Sequence, residues 1–418
     1  REDREREQVL VEAAEPPIAP RFVQWAEQLS PLIGKQAYRL VIELMYRDLA
    51  AHPDLDSEAH GWNRDLELGS FRTFPGSHRN VGAAQLKSAR ARSKNSTIMN
   101  SDFDCVERDK DVKADKADPL NALFTCVAIN EHRSATEVSV LLLTALKEIV
   151  KTYCQSPAGI KNSKKTVLGL SKLKLTGAAM EDLASTSAFK AFEQHCCILQ
   201  KLDLDGLSVD ERMLFFCNVF NTIITHAVIA RGAPGTSVLE RSAFMRSCKY
   251  IIGGSTYSLM DIEHGILRNK SSSPMIFGPL TISTTFHERD PRRKYILEEA
   301  RPNISFVLCS VCVSSPALVV LKDVETLDAE VKHYARRYFH EFVRLDPDNK
   351  CIVLPELIKY YWADFGGNRA KVLKTIAQIS GAQFATAMKP FISPAAGVKA
   401  KVEFSKFDWS PVLSVSDS

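Results

Sequence analysis

The feature that most constrains the fold is a long apolar segment with helix signals at both ends. Ser208-Val-Asp-Glu211 has the pattern of a capping box, in which the Ser and Glu side chains each bond a backbone N–H at the start of a helix. Arg231-Gly232, with Pro234 just beyond, has the pattern of a helix end. Residues 213–230 between these signals carry no formal charge. A helix that is apolar on nearly every side must be enclosed, either by the rest of the protein or by lipid.

Polar side chains within this helix favour enclosure by protein. At about 100° per residue, Asn218 and Asn221 fall in one stripe with two threonines, and His226 lies at its edge. These groups would be costly in lipid, so we expect no transmembrane segment. The stripe is either a buried network that pins loops to the core or the wall of a pocket, since buried polar groups must be hydrogen bonded. Asn218, Asn221 and His226 are therefore candidate binding residues.

The composition predicts a folded protein with more than one part. Hydrophobic residues make up 45% of the chain and charged residues 25%, as in ordinary globular proteins. The 418 residues exceed what one hydrophobic core usually organises. We predict an α+β fold at residues 118–370, a mostly helical domain with a small β-sheet. The other predicted parts are an amphipathic helical N-terminal extension (1–52), a linker that is basic and then charge-alternating (53–117), and a C-terminal helix and tail (371–418), with the tail on a surface.

Apolar periodicity places the elements of the predicted domain. Helical spacing occurs at residues 138–153, 187–199, 327–344 and 355–365. Short runs rich in Val, Ile, Leu or Phe predict strands at residues 304–309, 317–321 and 351–354. Gly253-Gly254 lacks the further glycine and lysine of a phosphate-binding loop, so it is interpreted as a turn.

Charge restricts the classes of partner. A formal net charge of +4 from 54 basic and 50 acidic residues is too small to indicate general binding of nucleic acid or of an anionic membrane. Residues 72–94 are locally basic and contain no acid. They are either a solvated linker or a phosphate-binding arm, and Phe74 is the one aromatic residue there on which a base could stack. Nucleic acid is therefore an unlikely partner.

The cysteines predict a reducing, intracellular environment. Ten cysteines are irregularly spaced, and several stand in apolar runs, as expected of buried thiols. Cys309 and Cys312 have the spacing of a metal or redox pair, but in a strand they would point to opposite faces. We therefore expect no metal site and no cofactor. The chain begins with Arg1 rather than Met, which predicts a processed form or a fragment, in the cytoplasm or in an organelle after processing.

A second polar stripe follows Ser258. On an α-helix, Asp261, His264 and Arg268 would fall on one side. A carboxylate next to the imidazole would orient it for acid–base chemistry, and Arg268 could hold a carboxylate or a phosphate. The alternative is a salt-bridged helix face without a chemical role. Convergence of the stripe with the Ser315 hydroxyl would favour the chemical interpretation.

Several motifs follow one another in a definite order and spacing. They are Phe215-Phe-Cys-Asn-Val-Phe-Asn221, His226, Gly232-Ala-Pro234, Tyr250-Ile-Ile-Gly-Gly254 and Asp261-Ile-Glu-His-Gly-Ile-Leu-Arg268. In this arrangement the chain resembles the domain-of-unknown-function 547 family, DUF547, over residues 118–370. The resemblance implies a shared architecture and a set of recurrent polar residues. The family has no established activity, so the resemblance supplies no mechanism.

The chain departs from many relatives at two positions. The resemblance aligns His-Phe-Ala-Leu and a Cys-Pro pair of those relatives with Ser305-Phe306-Val307-Leu308 and Ser315-Pro316 of this chain, although some relatives also carry Ser-Ser-Pro. If that His and Cys form a base and a nucleophile in the relatives, this chain lacks both.

This departure favours a noncatalytic interaction or scaffold protein, a subunit of a larger assembly. We expect it to bind protein partners through its N-terminal helices and C-terminal tail. The first alternative is a hydrolase or transferase that uses Asp261, His264 and Ser315, to be recognised by geometry. The second alternative is phosphate or nucleic-acid binding through the basic linker.

Overall fold

The structure of the protein is a computed structural model that describes residues 97–99, 103–108, 118–130, 132–166, 170–268, 286–299, 301–392 and 401–416. The chain divides into two compact units, Arg1–Ser96 with Thr186–Ala191, and Thr97–Ser185 with Phe192–Ser418. The description below concerns the second unit and, as part of one helix, residues 187–191 of the first. The predicted N-terminal helices and the basic run at 72–94 lie outside the described residues. The predicted domain limits at 118 and 370 stay predictions.

Ten α-helices occur in the described part of the chain. They are Ala135–Gln155 (α1), Pro157–Asn162 (α2), Gly177–Ser185 (α3), Ser187–His195 (α4), Val209–Arg231 (α5), Val238–Ser247 (α6), Leu327–Phe342 (α7), Glu356–Tyr360 (α8), Arg369–Ser380 (α9) and Ala382–Ile392 (α10). Short 3₁₀ turns occupy Leu120–Ala122, Cys196–Lys201, Pro291–Tyr295 and Pro302–Phe306, and Asp261–Leu267 is a π-helix.

The strands form four small sheets in the same described residues. The strands are Thr97–Met99 (β1), Phe103–Glu107 (β2), Phe124–Ile129 (β3), Ser163–Lys165 (β4), Leu170–Lys174 (β5), Lys249–Ile252 (β6), Ser255–Ser258 (β7), Arg344–Asp346 (β8), Cys351–Pro355 (β9), Lys401–Ser405 (β10) and Val412–Ser416 (β11). The sheets have the orders β1-β2-β3, β10-β9-β8, β11-β5-β4 and β6-β7. All strand pairs are antiparallel except β10 with β9. The α+β class is therefore confirmed, with several small sheets in place of the single one predicted.

Helix α5 is the central element, and its predicted limits are confirmed. Ser208 Oγ accepts from Glu211 N at 3.2 Å, and Glu211 Oε2 accepts from Ser208 N at 2.8 Å. Gly232 follows the helix with φ +83°, a left-handed conformation that glycine adopts without steric cost. Helix α5 packs on α1, on α3 and on the π-helix. It is long and apolar enough to cross a membrane by length and composition, but 94% of its apolar window is buried inside the protein.

A second part of the core lies around Phe306. Its ring packs against Phe339 of α7 and Phe365, with ring centroids 4.7 and 5.7 Å apart. Helices α9 and α10 complete this cluster, together with Phe407 from the C-terminal segment. Phe306 and Cys312 both belong to this cluster, and their burial helps to hold residues 302–321 in place.

The C-terminal segment is part of this fold. Strand β10 pairs in parallel with β9, and β11 pairs with β5. Leu413 and Val415 of β11 are fully buried. The predicted tail on a surface is therefore, between residues 401 and 416, two strands that help to cover the core.

Two predicted strands differ in the structure. Residues 304–309 begin in a 3₁₀ turn, Pro302–Phe306, because Pro302 has no N–H to give to a sheet and its fixed φ suits a first turn. Residues 317–321 form no strand and make a single bridge, from Leu318 to Val415. The predicted strand at 351–354 is confirmed as β9, and Gly253-Gly254 is confirmed as the turn between β6 and β7, with φ of +53° and +78°.

Candidate functional site

Asn218 binds the backbone of the segment that contains Leu321. Its amide nitrogen donates to Leu321 O at 2.8 Å, and its amide oxygen accepts from Leu321 N at 3.0 Å. Asn218 and Leu321 are both fully buried. The side chain therefore takes the place that a neighbouring strand would have, and it satisfies both backbone groups of one residue.

Asn221 makes a similar arrangement one helical turn later. Its Nδ2 donates to Val307 O at 2.8 Å and to Val319 O at 3.2 Å, and its Oδ1 accepts from Cys309 N at 2.9 Å. Together the two asparagines hold residues 307–321 against α5. We call this set of bonds the asparagine clamp.

His226 closes the polar stripe and is also buried. Its Nδ1 lies 2.7 Å from the Tyr250 hydroxyl and its Nε2 lies 3.3 Å from Glu193 Oε1. The same hydroxyl contacts Cys196 Sγ at 3.3 Å. All three predicted binding residues of α5 thus bond to groups of the protein itself, and their assignment to ligand binding remains a prediction.

His264 and Arg268 do lie together, as members of a buried charged cluster. Arg268 Nε and Nη2 donate to the two oxygens of Asp364 at 2.7 and 2.9 Å, a bidentate pair whose side chains are each 4% exposed. The Tyr361 hydroxyl donates to Glu263 Oε1 at 2.7 Å, and the Arg268 guanidinium lies 4.5 Å above the Tyr361 ring. We call these five residues the Arg268 cluster.

Arg268 determines which ring nitrogen of His264 accepts a hydrogen bond. Arg268 Nη1 lies 3.0 Å from His264 Nδ1. Because a guanidinium has only donors, Nδ1 must accept, so the imidazole is neutral and carries its proton on Nε2. Burial lowers the pKa of His264, the charge of Glu263 opposes this, and the charge of Arg268 adds to it. His264 in this tautomer cannot take a proton at Nδ1 without losing Arg268.

Asp261 lies in a different set of contacts. Its Oδ2 accepts from the Ser258 hydroxyl at 2.7 Å and from Ser258 N at 2.9 Å, and Arg292 Nη1 lies 3.3 Å away. The reason is the π-helix, whose i→i+5 bonds give less rotation per residue than an α-helix does. That smaller step keeps His264 and Arg268, four residues apart, on one side. It turns Asp261 away from His264, and the carboxylates whose charges act on His264 are Glu263 and Asp364.

Ser315 is bonded within its own loop. Its Oγ accepts from Ser310 N at 2.6 Å, donates to Pro316 O at 2.8 Å and lies 3.8 Å from Cys309 Sγ. It also lines a small cavity that includes Lys172 and Ser414, and to which neither Asp261 nor His264 contributes. The structure therefore brings Arg268 to His264 and places Asp261 and Ser315 elsewhere.

The Cys309 and Cys312 thiols belong to the core. Both are buried, and burial raises the pKa of Cys309 to about 11 and that of Cys312 to about 12. All ten cysteines of the chain lie in described residues, are buried and form no disulfide. Within those residues, no group of three His, Cys, Asp or Glu side chains has an arrangement that could hold a metal ion.

One family model matches the chain. The model described as "Protein of unknown function, DUF547" matches residues 204–339. This segment resembles DUF547. The DUF547-like segment contains both sides of the asparagine clamp, together with His264, Arg268 and Ser315. No curated protein and no solved structure matches the chain significantly.

The Arg268 cluster is completed from outside the DUF547-like segment. Tyr361 and Asp364 follow the segment in sequence and were not predicted as site residues. Glu263 lies inside the Asp261–Arg268 motif, and a carboxylate one residue before His264 could have indicated that Glu263 belongs to the same site. Asp364 is 96 residues from Arg268, and its local sequence indicates no partner.

Proposed function

We propose that this chain is a noncatalytic interaction protein, an intracellular scaffold whose DUF547-like segment is the rigid centre of a subunit in a larger assembly. The observation that carries the proposal is the separation of the three side chains that the enzyme alternative requires. Asp261 bonds Ser258, His264 bonds Arg268, and Ser315 bonds its own loop.

Nucleophilic catalysis needs a different arrangement. A hydroxyl nucleophile must be within hydrogen-bond reach of its base, and the base must be oriented by a third group. Here the accepting nitrogen of His264 faces a guanidinium, which repels a transferred proton. The Ser315 hydroxyl proton is donated to the carbonyl of Pro316. Each of these bonds would have to break before the hydrolase or transferase alternative could operate.

The asparagine clamp supports the scaffold role on physical grounds. Buried side-chain amides that satisfy backbone groups specify one packing of the elements they join. A rigid unit suits a protein that holds partners at fixed positions. We place partner attachment at the amphipathic N-terminal extension, since large exposed apolar residues of the described part occur singly on four elements, as Val127, Ile160, Val209 and Leu239.

The test combines an assembly measurement with an activity screen. The full chain, a variant without residues 1–52, and Ser315→Ala would be compared by native size separation in extracts of the source cells. We expect the full chain and S315A to migrate in the same large assembly, and the truncated chain to migrate as a smaller species.

The activity screen uses ester, amide and phosphoester substrates with His264→Asn and Ser315→Ala. Asn keeps an acceptor near the position of Nδ1, so H264N should stay folded while losing any base function. An activity that both variants abolish, in proteins with unchanged circular dichroism and melting temperature, would overturn the proposal in favour of the enzyme.

A further inference from the structure

A small cavity lies between helix α7, the sheet β11-β5-β4 and the loop that carries Ser315. Its volume is about 30 Å³. The polar side chains of its wall include Lys172 of β5, Arg337 and Glu341 of α7, and Ser414 of β11. Phe306 forms part of its apolar wall. The cavity therefore combines an apolar wall with polar groups from three separate elements.

The charges of the wall favour an anion. Lys172 and Arg337 are cationic, and Glu341 is the one carboxylate among the lining residues. Lys172 Nζ lies 3.4 Å from Glu341 Oε1, which occupies one of its three donors. The formal charges of these three side chains sum to +1, which favours an anion over a cation at this wall.

Ser414 supplies an independent sign of a ligand. Ser414 is 4% exposed and lines the cavity, and its buried Oγ has no hydrogen-bond partner among the described residues. Ser414 pairs with Lys172 across β11 and β5, so both side chains project from the same face of the sheet. A buried hydroxyl without a partner costs free energy unless a ligand or water accepts its proton.

Size selects the type of anion. A cavity of about 30 Å³ has room for roughly two water molecules. The two oxygens of a carboxylate can occupy two water positions, whereas a tetrahedral phosphate has four oxygens and a higher charge. The negative charge of Glu341 also repels a dianion more strongly than a monoanion.

We propose that this cavity binds the carboxylate group of a small molecule, with Ser414 Oγ, Lys172 Nζ and the Arg337 guanidinium as its donors. The site lies apart from the Arg268 cluster, and it is independent of whether the protein is a scaffold.

Acetate is the probe for the test, titrated calorimetrically into the full chain at low ionic strength, with inorganic phosphate as the comparison. For an anion of four heavy atoms we expect a Kd on the order of 1 mM. Ser414→Ala and Lys172→Gln should each weaken acetate binding about tenfold, because each removes a hydrogen bond to a charged group. Phosphate should bind more weakly than acetate.

Two variants serve as matched controls. Ser414→Thr keeps the hydroxyl and suits a strand, so it should retain acetate binding even if S414A fails to fold. Lys174→Gln removes a cation from the same strand that does not line the cavity, and it should leave the Kd unchanged. Absence of saturable acetate binding, tighter binding of phosphate, or equal weakening by K174Q and K172Q would each overturn the proposal.

Discussion

The asparagine clamp makes the sharpest quantitative prediction, for Asn221→Ala. The substitution leaves Val307 O, Val319 O and Cys309 N without the side chain that bonds them, and all three residues are buried. Each such group costs about 1–3 kcal/mol when unsatisfied. Since a water molecule can enter the space of the lost amide and recover part of this, we expect a total loss of about 3–6 kcal/mol.

The measurement is urea unfolding followed by tryptophan fluorescence. With a slope of about 3 kcal/mol per molar, the midpoint of N221A should fall by about 1–2 M relative to the unsubstituted chain. The control is Thr225→Val on the same helix. Thr225 is fully buried and its Oγ1 has no hydrogen-bond partner among the described residues, so replacing its hydroxyl by a methyl should be neutral or stabilising. A loss below about 1 kcal/mol for N221A, or an equal loss for T225V, would refute the clamp as a source of stability.

Three further predictions concern other parts of the unit. Burial lowers the pKa of His264, so on acidification the unfolded state binds more protons than the folded state does. The stability of the fold should therefore be complete above the unfolded pKa of His264 and should fall as the pH drops below that value. A flat stability profile from pH 7 to 5 that H264N does not alter would contradict this. Asp364→Ala leaves Arg268 charged and buried, so the free energy of unfolding should fall by about 3–5 kcal/mol. An unchanged midpoint in chemical unfolding would contradict this. Leu413→Ala should lower the free energy of unfolding by about 2–5 kcal/mol, measured by thermal unfolding, because Leu413 is fully buried in β11. An unchanged stability would instead support the prediction of a surface tail.

Locally encoded features could be predicted from the sequence. The limits of α5 depend on the capping box at Ser208 and on Gly232, and each of these signals acts within a few residues of its own position. The polar stripe of α5 was also predictable, because helical periodicity places Asn218 and Asn221 on one side.

Features that depend on distant residues were not predictable. The apolar run at 304–309 favours a strand. The local signal against a strand is Pro302, whereas the packing of Phe306 in the core, which also selects the 3₁₀ turn, depends on distant residues. The π-helix changes the direction of the Asp261 side chain, and no pattern of residues in the sequence predicts a π-helix there. Arg268 was identified as a site residue, whereas its partner Asp364 could be found only from the fold.

The pairing of β11 with β5 has a consequence for the synthesis of the protein. Leu413 pairs with Leu173, which precedes it by 240 residues. At about 5–20 residues per second, a ribosome needs roughly 10–50 s to make the intervening chain. During that time one edge of β5 has exposed N–H and C=O groups, and Leu173, fully buried in the finished fold, lacks part of its cover. Nascent chains of this protein therefore present an open strand edge to one another and to chaperones until the last sheet partner has left the ribosome.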